Sequence, residues 1–207
     1  MSQATFDIDA LILEAEREAA PAWTGAPLHY HEEPYRPEEL DAAFERWKFE
    51  HGNFGCIPKS HMWHRSMFNQ PTIQEGVHSL AVFTASTFCE EPEHTHDLLP
   101  TPGRVQGICT ECDWRLIDPD ESLVVEAWHD HAFPGWRELP VVPRKYTGLP
   151  PRGRDPLREW AEEHYPATWQ RTGAPIITER EGIGTRHVPG RSPWGGFDLS
   201  DSAIKRL

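Results

Sequence analysis

The sequence predicts an α+β protein. It reads as an N-terminal helical region over residues 1–76, a small β-hairpin-plus-helix unit over 77–143, and a helix with a long Gly/Pro/Arg-rich tail over 144–207. Three observations predict this. Two short runs of strand-forming residues, Val105–Ile108 and Trp114–Ile117, flank a C-x2-C turn and lead into a helical pattern. Two helical patterns precede residue 52, and turn-forming residues dominate after Pro166.

The first helix spans Phe6–Ala20. Ile8, Leu11, Ile12, Ala15 and Ala19 fall on one stripe, Asp7 is the expected cap, and Ala20-Pro21 ends it. The second runs from Pro37, suited to a first turn, to His51, with Gly52 as the stop. Residues 52–76 are turn-rich and carry Cys56, His61, Trp63 and His64, read as a packed aromatic loop. Val77–Phe88 reads as a strand, Glu121–Ala132 as a helix capped by Asp118 or Asp120, and Asp155–His164 as another with Pro156 in its first turn.

Composition limits the core. The hydrophobic fraction is 38%, and twenty prolines remove backbone donors, so nine Trp and nine Phe must supply much of the buried area. The net charge of −13 is uneven: residues 1–139 hold nine Lys/Arg against 25 Asp/Glu, and residues 140–207 hold eleven against eight. An acidic body repels phosphate backbones, so direct nucleic-acid binding is expected to be weak. No signal peptide and no membrane-spanning apolar run is read, which places the expectation in the cytoplasm. In such a reducing compartment C-x2-C reads as a metal or redox pair rather than a structural disulfide.

Cys109 and Cys112 sit between two strands rather than at a helix start after a strand, which favours metal over redox. Both thiolates can reach one zinc ion at about 2.3 Å. On the following helix Val124, Ala127, Trp128 and His131 share a face, so His131 is the expected imidazole ligand. His129, about 200° round, is expected to be exposed. The expected fourth ligand is Cys89, at the end of the 77–88 strand, with His96, His94 and His129 as alternates. The expected role of the ion is structural, a clamp on a small unit. Arg186, Arg191 and Trp194 in the tail are candidate partner anchors, because arginine and tryptophan dominate binding hot spots.

The segments CTECDW and EAWHDHAFPGWRELP within Cys109–Pro140, the tail GTRHVPGRSPWGGFD and SHMWH near residue 61 resemble a family of uncharacterised proteins carried by actinobacteria and their phages. The resemblance implies a phage or mobile-element context and a Cys/His metal site, with Cys109, Cys112 and His131 at matching positions. It brings no catalytic residue, and no nucleophile set or phosphate-binding glycine motif is present. The expectation is therefore a non-enzymatic zinc-binding accessory protein of the host-cell cytoplasm. It would act by protein contact on a DNA-processing partner, for example by regulating the direction of a site-specific recombinase. The rival expectations are a nucleic-acid-binding zinc protein and a metal-dependent hydrolase.

Overall fold

The computed structural model describes residues 8–51, 61–65, 73–75, 78–86, 103–148, 153–179 and 187–205. The chain forms two compact units. One comprises residues 1–64 and 85–103, the other 65–84 and 104–207.

The first unit contains helices α1 (Ile8–Ala19) and α2 (Pro37–His51). Pro37 opens α2, and Glu38 and Glu39 lie in its first turn, where acidic side chains suit the positive end of the helix dipole. Leu40, Ala43 and Trp47 are its buried face. Met62 and Trp63 are buried in the same unit, and the Trp63 indole donates to the His31 carbonyl at 2.8 Å.

The second unit begins with a four-stranded sheet in the order β1-β2-β3-β4: Ile73–Glu75, His78–Ala85, Arg104–Cys109 and Trp114–Asp118. Strands β3 and β4 are antiparallel, with Cys109 opposite Trp114 and Gly107 opposite Leu116. A 3-10 turn, Thr110–Cys112, joins them. Asp113 closes this turn at φ +50°, a left-handed conformation that Asp tolerates.

Helix α3 (Glu121–Ala132) packs across this sheet, capped by the Asp120 carboxylate, which accepts from the Ser122 amide at 2.8 Å. The approach is close. A Cβ at Gly107 would lie 2.6 Å from Cγ1 of Val124, so only glycine allows the helix this near to β3. The Trp128 indole donates to the Ser79 carbonyl at 2.8 Å and ties the helix to β2.

The tail is built into the core of this unit. A small parallel sheet, β5-β6-β7, joins Val141–Val142, Ile176–Thr178 and Asp198–Ser200. Helix α4 (Pro156–His164), capped by Asp155, precedes β6, and α5 (Ser202–Lys205) follows β7. Gly196 lets the chain press against residues 173–174, since a Cβ there would lie 2.0 Å from the Gly173 carbonyl oxygen. The Ser192 hydroxyl donates to the Ala174 carbonyl at 2.6 Å and fixes the same crossing.

Helix α3 is consequently covered on a second side. Its Glu126, only 3% exposed, accepts from Nε2 of His187 at 3.0 Å, and Nδ1 of His187 accepts from the Ser200 amide at 3.0 Å. Arg137 lies 3.6 Å from the same glutamate, donates to both Asp130 oxygens, and reaches the Ala203 carbonyl at 3.0 Å. These contacts staple the C-terminal segment to α3.

This arrangement corrects the expectation that His129 is exposed. His129 is fully buried among Trp128, Phe133, Trp136 and Phe197. The two imidazoles do lie on different faces, but the second face is closed by the C-terminal segment rather than by water. Burial lowers the His129 pKa to about 3, so the ring is neutral at pH 7, and its Nδ1 donates to the Val125 carbonyl at 2.7 Å.

Two outcomes are expected from this packing. Replacing Glu126 by Ala strips His187 and Arg137 of a buried partner and should cost about 3–5 kcal/mol. Replacing His129 by Ala should cost about 2–4 kcal/mol, as for other large buried rings. Chemical unfolding of each variant reads both numbers. A change below about 0.5 kcal/mol in His129→Ala would show a solvent-facing ring.

Candidate metal centre

Four donors from four elements converge at one end of the four-stranded sheet. They are His78 at the start of β2, Cys109 at the end of β3, Cys112 in the turn and His131 near the end of α3. Their ligand atoms all lie within 4.8 Å of one another. Nδ1 of His78 is 3.2 Å from Sγ of Cys112 and 3.9 Å from Sγ of Cys109. Tetrahedral zinc with ordinary Zn–S and Zn–N bonds would set its ligands roughly 3.3–3.8 Å apart. The set fits one such ion with small adjustments.

Ring contacts hold both imidazoles. The His78 and His131 rings meet edge-on with centroids 4.8 Å apart, and Trp114 stacks on His131 at 5.7 Å with an interplanar angle of 11°. Nε2 of His131 is buried without a hydrogen-bond partner, an arrangement that costs free energy unless an ion accepts the lone pair. Burial and the neighbouring His78 both lower the His131 pKa, which keeps the ring in the neutral form that ligates metals.

The thiols tell the same story. Desolvation raises the Cys112 pKa, and Cys109, Glu111 and Asp113 add to the rise. A divalent cation reverses that balance and stabilises both thiolates. Cys109 is buried and Cys112 exposed, so the ion would lie at the edge of the core.

A single side chain supports the turn from behind. Ser79 is 2% exposed, accepts from the Thr110 amide at 3.2 Å, and donates to Glu111 at 2.6 Å. It follows His78 directly and so couples the position of that ligand to the C-x2-C turn. Supporting contacts of this kind tune metal affinity.

The structure brings together three residues expected from sequence, Cys109, Cys112 and His131, and adds His78. The start of β2, not its end, lies beside the end of β3, as the His78–Cys109 and Ser79–Thr110 contacts show. In the sequence His78 was legible only as a residue near the start of the 77–88 strand; its role needed the strand pairing. Cys89, His94 and His96 lie outside the described residues. His129 is not part of the cluster, being buried on another side of α3.

Of the three tail residues expected to anchor a partner, Arg186 lies outside the described residues. Arg191 is exposed, donates to the Thr147 carbonyl at 3.2 Å and lies 3.7 Å from the buried Asp198 carboxylate. Trp194 is half-buried against the core, 5.6 Å from the Tyr165 ring.

The chain matches DUF6349, a family of unknown function, over residues 25–206. It belongs to that family. All four donors and both stapling residues, Glu126 and His187, lie inside the matched span. No curated protein and no solved structure gives a significant match. No helix among the described residues is long and apolar enough to cross a membrane.

Two measurements test the donor set. Replacing His78 by Ala should abolish tight metal binding, whereas Cys89→Ser should retain a full equivalent. Replacing Ser79 by Ala should weaken affinity about 10- to 100-fold while leaving the stoichiometry at one. Competition with a chromophoric chelator measures both.

Proposed function

We propose that this protein is a non-enzymatic accessory protein whose second unit is clamped by one structural zinc ion on His78, Cys109, Cys112 and His131. The observation that carries this reading is the closed donor set. Two sulfurs and two nitrogens around one point are a characteristic zinc arrangement, and four protein donors leave a tetrahedral ion no open position for substrate. This weighs against the hydrolase reading. The buried His187–Glu126 pair does not supply a general base either. Nδ1 of His187 is taken by the Ser200 amide and its Nε2 proton by Glu126, so the ring has no free lone pair.

The mode of action we propose is protein contact with a DNA-processing partner of a phage or mobile element, for example a site-specific recombinase whose direction it sets. Two features support action through protein contact rather than direct DNA binding. The body is strongly acidic, and α3, the helix of the metal unit, carries Glu121, Glu126 and Asp130 with no Lys or Arg.

Elemental analysis of the purified protein should give one zinc per chain. Cobalt substitution should give the absorption of a tetrahedral site with two thiolates, and chelation should lower the thermal midpoint. Full zinc loss with an unchanged midpoint would sink the structural role. For the mode of action, the protein should change the product ratio of a recombinase from the same element, while binding DNA alone weakly and with steep salt dependence. Tight, sequence-selective DNA binding at physiological salt without a partner would replace this reading by the nucleic-acid one.

A further inference from the structure

Helix α1 carries an apolar stripe that no other part of the described chain covers. Its apolar stripe, Ile8, Leu11, Ile12, Ala15 and Ala19, is exposed throughout, with Ile8 at 66% and Leu11 and Ile12 at 52%. Arg17, on the opposite side of the helix wheel, makes the contact with the rest of the unit: its Nε donates to the Phe49 carbonyl of α2. Amphipathic helices of globular proteins normally bury the apolar stripe and leave the charges in water. Here the stripe lies in water instead. The helix also lies before residue 25, where the family match begins.

The rims of the stripe carry one sign of charge. At 100° per residue, Glu18 borders it beside Leu11, and Glu16 borders it beside Ile12. Ile8, Leu11, Ile12 and Ala15 follow the i, i+3, i+4, i+7 spacing by which helices dock into grooves. A second copy of this helix would set glutamates against glutamates, and an anionic membrane or a nucleic acid would repel both rims. The charge pattern selects a protein groove that is apolar at its floor and lined with Lys or Arg along both edges.

We infer that α1 is a docking helix, which inserts its Ile8-Leu11-Ile12-Ala15 stripe into an apolar, basic-rimmed groove on a partner protein. The stripe shares no residue with the metal cluster or the tail. It requires neither the zinc nor a recombinase.

The test uses the full-length protein with a photoreactive residue at Leu11, crosslinked in the producing cells. A matched control carries the residue at Glu163, exposed on α4. Mass spectrometry identifies the crosslinked residue. The expected result is a different protein, captured from Leu11 and not from Glu163, joined through an apolar residue flanked by Lys or Arg. Titration with that purified protein should then show about thirtyfold or greater loss for Leu11→Glu and Ile12→Glu, the size of a hot-spot loss. Glu16→Lys with Glu18→Lys should also weaken binding, and reversing the partner's basic rim should restore it. All variants lie on exposed positions, so their thermal midpoints should match the parent. A crosslink to a second copy, a crosslink to another segment of the same chain, sedimentation with phosphatidylglycerol vesicles, or no species specific to Leu11 would each overturn the inference.

Discussion

Helix α3 has no free face, and the second unit is organised around that constraint. Of its twelve residues only Leu123 and Asp130 are exposed. One side meets the sheet at Gly107 and Ser79, and another meets the C-terminal segment at His187 and Phe197. A helix enclosed in this way must satisfy its buried polar groups internally. It does so with His129 Nδ1, which donates to the Val125 carbonyl, and with a Glu126 that is shared between His187 and Arg137. The same enclosure holds His131 against Trp114, next to the two thiols.

The metal cluster and the buried staple therefore do related work at different places on one helix. An ion held by the cluster would tie α3 to the start of β2 and to the β3–β4 turn. The staple ties it to β7 and α5 through His187, Ser200, Arg137 and Ala203. With a modest hydrophobic fraction and many prolines, the chain has limited apolar area to hold these pieces together. Cross-links between distant segments compensate, because each removes chain entropy that apolar burial would otherwise have to offset.

The two units present different chemistry to their surroundings. The second turns His129, His187 and many of its aromatic rings inward, where they stack or donate. In the first, α1 turns aliphatic side chains outward. An exposed apolar stripe rimmed by carboxylates favours contact with a protein of opposite charge over contact with lipid or nucleic acid.

The sequence by itself determined the local elements. The helix bounds Pro37–His51 and Glu121–Ala132, a cap at Asp118 or Asp120, a helix opening at Asp155-Pro156 and the hairpin around C-x2-C all follow from short-range propensity and turn chemistry; the structure shows these elements and makes Asp120 and Asp155 the caps. The sequence also singled out Cys109, Cys112 and His131, because thiol spacing and helical periodicity act within a few residues. What depended on long-range pairing stayed hidden. Strands β6 and β7 are three residues each, too short for any periodicity, and they exist because parallel neighbours complete them. His78 joins the donors only because the start of β2 pairs beside the end of β3, more than thirty positions along the chain. His129 is buried because a segment some sixty residues later folds over it. Only the tertiary structure could decide those placements, since periodicity tells which residues share a face but not what covers it.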